Sequence, residues 1–199
     1  MLLNHKESQL VLVDYQPRLM PALFGHEAVM AKAMTLAKLA KLFAVPLWIT
    51  EQMPDKLGQT PADMRALAQG VFDKTTFDAT PSDLLPALTQ PPAPSGNARS
   101  LPKHLRKDTP TGNPRTTVVI AGCETHVCLL QTALGLVEEE LDVWVVTDAC
   151  TSRTERDRDA AFDRLAGAGV ELVTTEMVAF EWMRDADHPK FKEMLALIK

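Results

Sequence analysis

Short apolar runs alternate with segments of helical periodicity along this chain, and that alternation restricts the fold more than any other feature. The apolar runs read QLVLVD at 9–14, PLWIT at 46–50, VVIA at 118–121, DVWVVT at 142–147 and VELV at 170–173. Apolar residues at helical spacing predict helices over 26–43, 155–168, 176–183 and 189–198. Strands joined through helices pair in parallel. We therefore predict an α/β fold, a three-layer Rossmann-like arrangement in which helices cover both faces of a sheet of about six parallel strands.

Length and composition fit one domain that covers residues 1–199. Hydrophobic residues make up 46% and charged residues 24% of the 199 residues, as in ordinary globular proteins. The segment at about 89–116 differs because it is rich in proline, and we expect it to be a surface insertion. Because the alternation of strands and helices resumes directly after it, we do not expect a linker between two domains.

Shorter elements are predicted between the second and third apolar runs. A helix is expected over 63–68 with Thr60 as its cap, and another over 82–88 with Ser82 as its cap. Residues 70–77 are too short a segment to assign.

The charge balance and the missing motifs exclude several classes of protein. A net charge of -5 argues against a general nucleic-acid binder. The sequence contains neither a stretch that could span a bilayer nor a glycine-rich nucleotide fingerprint, so we expect no membrane partner and no cofactor. The N-terminus lacks signal-peptide features, and three cysteines form no disulfide framework, which predicts a cytoplasmic protein.

Cys128 is the first candidate for a functional residue. It follows a buried strand that closes at Gly122, and it falls in the first turn of the next predicted helix, for which Thr125 is the expected N-cap. Helix N-termini favour anions, so we expect the thiol to be shifted towards thiolate. This is the setting of a nucleophile. The alternative is a free cysteine that packs as a small hydrophobic residue.

One further polar residue is a candidate from its position alone. Asp14 ends the first strand, and ligands bind beyond the carboxyl ends of parallel strands. The alternative for Asp14 is a turn or a helix cap. Lys74 lies between an apolar pair and a Thr-Thr-Phe segment, and its position alone predicts a solvated surface lysine.

Three segments together resemble the isochorismatase-like cysteine hydrolases. They are LVD at 12–14 with Gln16, KTTF at 74–77 and GCETHVC at 122–128. Four further segments are most similar to the isochorismatase domain-containing branch of that family: TEQ at 50–52, LGQT at 57–60, DACTSR at 148–153 and DHPKFKE at 187–193. The resemblance covers nearly the whole chain except the proline-rich segment.

The resemblance implies an isochorismatase-like hydrolase fold and a catalytic triad of Asp14, Lys74 and Cys128. In that family the aspartate is the general base, the lysine stabilises the thiolate, and the cysteine attacks an amide-type carbonyl to form a thioester. A cis peptide bond lies four residues before the cysteine, which here would be the Cys123–Glu124 bond. The backbone N–H groups of Glu124 and Cys128 would then receive the developing oxyanion.

The chain departs from the metal-dependent members of the family. Nicotinamidases carry an Asp-x-His pair after the second strand, where this chain has Glu51 and Gln52, so no metal is expected. Substrate contacts are expected from residues next to the triad or at strand ends: Tyr15, Gln16, Gln52 and Phe77. His126 is expected to point away from the pocket, and Cys123 and Cys150 are expected to pack.

The favoured function is a metal-independent hydrolase that cleaves an amide or carbamoyl C–N bond in a small molecule. The alternative is a catalytically idle binding or scaffold protein that keeps the fold. A nucleic-acid enzyme using the basic loop at 99–107 is disfavoured by the acidic chain and by the lack of aromatic residues in that loop. A homo-oligomer is expected because relatives assemble and the terminal helices offer apolar faces.

Overall fold

A parallel sheet lies at the centre of the computed structural model, which describes residues 1–89 and 115–199. Within these ranges six strands pair in the order β3-β2-β1-β4-β5-β6, and every pairing is parallel. The strands are β1 (Ser8–Val13), β2 (Leu47–Gln52), β3 (Gly70–Lys74), β4 (Thr117–Gly122), β5 (Asp142–Val146) and β6 (Glu171–Val173). The predicted Rossmann-like α/β architecture is confirmed.

Helices cover both faces of this sheet. They are α1 (His26–Phe43), α2 (Pro54–Leu57), α3 (Ala62–Arg65), α4 (Leu84–Thr89), α5 (Leu130–Glu138), α6 (Glu155–Gly167), α7 (Thr175–Met183) and α8 (Phe191–Ile198). Helix α1 connects β1 to β2, whereas α5 connects β4 to β5 in the opposite direction along the sheet. Because such crossovers are right-handed, α1 and α5 lie on opposite faces. Helix α1 packs with α7 and α8, and α5 packs with α6.

The strand order reverses between β1 and β4, and this position determines where a ligand can bind. The connections from β1 to β2 and from β2 to β3 run one way along the sheet, and those from β4 to β5 and from β5 to β6 run the other way. This reversal opens a crevice at the carboxyl ends of the two central strands, β1 and β4. The strands approach closely there: a Cβ on Gly122 would lie 2.5 Å from Val13 Cβ. Glycine is therefore required at the end of β4 for steric reasons.

Some local predictions need correction. Residues 70–74 form the edge strand β3, which the sequence left unassigned. Thr60 does not cap α3, because Pro61 holds the N-cap position and Thr60 Oγ1 has no hydrogen-bond partner in the described part of the chain. Ser82 does act near the start of α4, since its Oγ accepts a hydrogen bond from Leu84 N–H at 3.2 Å.

The predicted insertion at about 89–116 lies almost entirely outside the described residues. Its two flanks meet at one side chain: Gln9 Nε2 donates to the Leu88 carbonyl at 2.9 Å and to the Arg115 carbonyl at 2.8 Å. The chain therefore leaves and re-enters the described structure at one point, near the amino end of β1. Among the helices of the two described ranges, none combines the length and apolar composition needed to cross a membrane.

Candidate active site

Asp14 is the fixed point of the site. It follows β1 directly, adopts a positive φ of 57° and is fully buried. Its Oδ1 accepts a hydrogen bond from Thr50 Oγ1 at 2.7 Å, and its Oδ2 accepts one from Lys74 Nζ at 2.7 Å. Both carboxylate oxygens thus have partners, as a buried charge requires.

Lys74 reaches the same point from the edge of the sheet. It is the last residue of β3, and its side chain is 1% exposed. Besides Asp14, its ammonium group donates to Gln52 Oε1 at 2.7 Å and lies 3.3 Å from the carbonyl oxygens of Thr76 and Phe77. The lysine is therefore a buried ion-pair partner of Asp14 and not a solvated surface residue.

Cys128 lies on an irregular turn between β4 and α5. Residues Thr125–Leu129 form a π-helical turn, a geometry that is frequent at functional sites. The predicted N-cap Thr125 is wrong: Glu124 holds that position, and its carbonyl accepts hydrogen bonds from Val127 N–H at 3.1 Å and Leu129 N–H at 3.2 Å. The Cys123–Glu124 peptide bond is cis, as the resemblance implied.

Burial, together with the carboxylate of Asp14, raises the pKa of the Cys128 thiol to about 12, against the opposing effect of the Lys74 ammonium. The resting site therefore favours the protonated thiol at neutral pH. The predicted shift towards thiolate is therefore wrong for the resting site. The Cys128 residue is only 6% exposed, so loss of hydration outweighs the helix terminus and the cation.

The structure brings Asp14, Lys74 and Cys128 close together, although they are far apart in the chain. They lie directly after β1, at the end of β3 and on the turn after β4, and the carboxyl ends of these strands lie along one edge of the sheet. Sequence reasoning missed Thr50, which holds the second oxygen of Asp14. The sequence feature that could have identified Thr50 is its position two residues before Gln52, because residues at i and i+2 of a strand share a face.

Two predicted substrate contacts need correction. Tyr15 and Gln16 are fully buried. The Tyr15 hydroxyl donates to the Ala149 carbonyl. Gln16 Nε2 donates to the carbonyls of Gln52 at 3.1 Å and Gly58 at 2.6 Å, and Gln16 Oε1 accepts from Gln52 N–H at 2.8 Å. Their polar atoms bind protein groups, so both residues support the site from within instead of contacting a ligand.

The other two predicted contacts lie beside Lys74. Gln52 uses its amide oxygen for Lys74 Nζ and its amide nitrogen for the Thr75 carbonyl at 2.8 Å. Phe77 exposes 52% of its surface while its backbone carbonyl faces the lysine. A cavity of about 550 Å³ adjoins Lys74 and is lined by residues 53–56, 73–76 and 81–82.

The remaining sequence candidates have ordinary partners. His126 Nδ1 lies 2.9 Å from Ser152 Oγ. Cys123 and Cys150 are buried, and the Gly122 N–H points at Cys150 Sγ at 3.4 Å. Burial raises the pKa of both thiols. Across the described residues, no group of three His, Cys, Asp or Glu side chains is arranged to hold a metal ion.

Comparison with known proteins identifies the family of this chain. Residues 8–177 match the family described as the Isochorismatase domain. This chain belongs to the isochorismatase family. Isochorismatase domain-containing protein 2 of Bos taurus is 35% identical over 192 residues, which span 96% of this chain and 83% of that protein.

Several solved structures share the fold of this chain. A MAR1 ribonuclease from Caenorhabditis elegans matches with a TM-score of 0.83 at 29% identity, covering 100% of this chain and 92% of that one. YcaC from Pseudomonas aeruginosa, described with covalent acrylamide, matches with a TM-score of 0.80 at 25% identity over 98% and 91% of the two chains. The YcaC product of Escherichia coli, described as an octameric hydrolase of unknown specificity, gives 0.77 at 25% identity over 98% and 95%.

Proposed function

We propose that this chain is a metal-independent cysteine hydrolase that cleaves an amide or carbamoyl C–N bond in a small molecule through a thioester. One observation carries the proposal: Asp14 and Lys74 form a buried ion pair, with 2.7 Å between Oδ2 and Nζ, and both charged groups face the Cys128 thiol. A nucleophile, a base and a cation within reach of one another are the groups that such a reaction requires.

In the first half of the reaction, Asp14 takes the thiol proton while Cys128 attacks the carbonyl carbon. Removing the proton during attack is necessary because a thiol with a pKa of about 12 is rarely ionised near pH 7. The Sγ–C bond forms, and the carbonyl oxygen becomes an oxyanion. When the intermediate collapses, the C–N bond breaks and Asp14 returns its proton to the leaving nitrogen, which leaves a thioester on Cys128.

In the second half, water attacks the thioester. Asp14 now takes a proton from that water, the S–C bond breaks, and the proton passes to the departing sulfur. In both halves Lys74 offsets the negative charge near the sulfur, and the N–H groups of Glu124 and Cys128 are the proposed donors to the oxyanion. One such donor typically contributes about 3 kcal/mol of transition-state stabilisation.

The proposal excludes a metal from this reaction on the basis of the donor set. The residues that follow β2 are Glu51, Gln52 and Met53, and the amide of Gln52 is already bonded to Lys74 and Thr75. Gln52 would therefore act on the lysine and not on an ion. The cavity beside Lys74 is the proposed binding space.

The experiment that tests this function is release of ammonia or amine from a library of small amides and carbamoyl compounds. The unaltered protein should turn over at least one of them, and Cys128→Ala should abolish that turnover while the melting temperature stays nearly unchanged. Cys150→Ala is the matched control, since it removes a buried thiol away from the ion pair. Full activity of Cys128→Ala would refute the thioester mechanism.

Acrylamide offers a second readout of the same cysteine. The P. aeruginosa relative is described with covalent acrylamide, which is an electrophilic amide. Incubation with acrylamide followed by peptide mass mapping should place an adduct on Cys128 before Cys123 or Cys150. If no compound in the library turns over and Cys128 stays unmodified, the idle scaffold replaces the hydrolase as the better explanation.

A ribonuclease is the second candidate, and it rests on the name of the C. elegans relative. The net charge of -5 argues against it, because most of the affinity for RNA comes from cations that neutralise phosphates. Degradation of a labelled RNA that is lost in both Cys128→Ala and Asp14→Asn would support it. Degradation that persists in both variants would point to a contaminating nuclease.

We further propose that the chain forms a homo-oligomer. Support comes from the octameric E. coli relative. The mass in solution, measured by light scattering, should be a multiple of the 21.9 kDa chain. A monomer at all concentrations would contradict this part of the proposal.

A further inference from the structure

An ion pair joins the residue before the nucleophile turn to the connection between β5 and α6. Arg153 donates from Nε to Glu124 Oε1 at 2.8 Å and from Nη2 to Glu124 Oε2 at 3.3 Å, so both carboxylate oxygens are engaged. The Glu124 side chain is 9% exposed, whereas that of Arg153 is 68% exposed. Arg153 thus lies over a nearly buried carboxylate from the solvent side.

Glu124 occupies the position where the nucleophile turn begins. Its carbonyl accepts the two hydrogen bonds that start the π-helical turn, from Val127 and Leu129. Its side chain is held by Arg153. Because Glu124 is held at both its carbonyl and its side chain, it has little freedom to rotate. The direction of its N–H, the proposed donor to the oxyanion, is thereby fixed.

The segment that carries Arg153 is itself tied down. The Thr151 carbonyl accepts from Thr125 N–H at 2.8 Å, and Ser152 Oγ pairs with His126 Nδ1 at 2.9 Å. On its other side, the Thr151 hydroxyl donates to the Phe24 carbonyl, and Phe24 N–H donates to the Ser152 carbonyl at 2.9 Å. Three consecutive residues, 151–153, therefore contact three consecutive residues, 124–126.

Stability alone does not account for this arrangement. An ion pair with one exposed partner contributes little to stability, and salt screens it. The two-pronged geometry instead needs the planar guanidinium, because the ammonium group of a lysine cannot donate two parallel bonds. Two such bonds fix the orientation of the Glu124 carboxylate. A fixed side chain limits the rotation of the residue and so helps to hold its backbone N–H in one direction.

We infer that Arg153 is a positioning residue that orients Glu124 for oxyanion stabilisation. This inference rests on the proposed function. It assigns Arg153 an effect on the rate of acyl transfer to Cys128, and none on the accessibility or reactivity of the thiol itself.

The test compares two reactions of the same thiol. The probe for acyl transfer is 4-nitrophenyl acetate: the Sγ–C bond forms, the bond to nitrophenolate breaks, the thiol proton goes to Asp14, and an oxyanion develops on the way. Iodoacetamide alkylates the same sulfur by displacing iodide, and no oxyanion forms. Both rates are measured for the unaltered protein and for Arg153→Met, Arg153→Lys and Arg158→Met.

Arg153→Met should lower kcat for 4-nitrophenyl acetate about tenfold, with KM and the alkylation rate of Cys128 within twofold of the unaltered values. Arg153→Lys should recover only part of the loss, because it restores the charge but not the paired bonds. Arg158→Met is the matched control: Arg158 forms exposed ion pairs with Glu155 and Asp159 on α6, and its removal should change neither reaction.

Each of the other outcomes would contradict a different part of the inference. Equal acylation by Arg153→Met and the unaltered protein would overturn the positioning role and leave the hydrolase intact. A parallel loss of acylation and alkylation would mean that Arg153 has only a structural role, and a rise in KM alone would make it a binding residue. If the unaltered protein is not acylated on Cys128 at all, the proposed function fails and this inference fails with it.

Discussion

A buried glutamine lies near each end of β1, and the two glutamines differ in whether an ionisable residue lies next to them. At the amino end, Gln9 donates to the carbonyls of Leu88 and Arg115 and accepts from Trp48 Nε1 at 3.0 Å. At the carboxyl end, Gln16 makes three bonds to the backbone of Gln52 and Gly58. Both amides are satisfied, as buried polar groups usually are.

What differs is the neighbouring charge. Gln16 N–H donates to the carbonyl of Asp14 at 2.8 Å, so the second glutamine is joined to a residue that is paired with Lys74. The partners of Gln9 are backbone carbonyls and an indole, none of which exchanges a proton near pH 7. Equal hydrogen bonding therefore joins two chain segments, at Leu88 and Arg115, at one end of β1, and supports the proposed active site at the other.

The largest effect on stability should come from breaking the buried ion pair at the carboxyl end. Lys74→Met leaves the carboxylate of Asp14 buried without its cation, and we expect a loss of about 3–5 kcal/mol in the free energy of unfolding at pH 7. Urea denaturation measures it. The double variant Lys74→Met/Asp14→Asn should recover a large part of the loss, since no charge is then left unpaired. A double variant as unstable as the single one would contradict this explanation.

A smaller effect distinguishes the two glutamines directly. Gln9→Met and Gln16→Met each remove three hydrogen bonds and leave buried partners unsatisfied, so we expect each to lower stability by about 1–3 kcal/mol. Only Gln16→Met should also slow acylation of Cys128 by 4-nitrophenyl acetate, because the Gln16 side chain holds the backbone of Gln52, whose amide oxygen accepts from Lys74 Nζ. Both rates are measured at a temperature where each variant is folded. Slowing by Gln9→Met to the same extent would mean that the two ends are coupled.

The sequence predicted the elements that have strong periodicity and missed those defined by their neighbours. Helix α1 has the bounds that its apolar spacing predicts, because eight of its residues face the core. Strand β3 was left unassigned because it is an edge strand with a half-exposed pattern and contains Gly70 and Asp73. Its existence depends on pairing with β2, which no local pattern reveals.

The same reasoning applies to the site. The positions of Asp14 and Cys128 follow from strand ends, which a sequence displays. Three further properties depend on groups brought together only by folding: the pairing of Thr50 with Asp14, the pairing of Arg153 with Glu124, and the raised pKa of Cys128. The expected thiolate was wrong for this reason, because helix position can be seen in a sequence and burial beside a carboxylate cannot.

The smallest predicted effect concerns alkaline pH and again separates the two ends. Cys150 lies near the carboxyl end of β1, because its Sγ is 3.4 Å from the N of Gly122, which pairs with Val13. Burial raises the pKa of Cys150 from 9.0 to about 12. Between these values the unfolded chain loses the thiol proton and the folded chain keeps it, so stability is unaffected below pH 9 and falls as the pH rises towards 12. For one thiol the loss at pH 10 is about 1 kcal/mol.

Cys150→Ala should therefore reduce the difference in unfolding free energy between pH 7.5 and pH 10 by about that amount, whatever its effect at pH 7.5. Urea denaturation at the two pH values measures the difference. Gln9→Met is the control, since it alters the amino end without removing an ionisable group and should leave the pH difference unchanged. An unchanged difference in Cys150→Ala would mean that this thiol does not contribute to alkaline destabilisation, and the effect would then belong to Cys128, Cys123 or Tyr15, whose pKa values burial also raises.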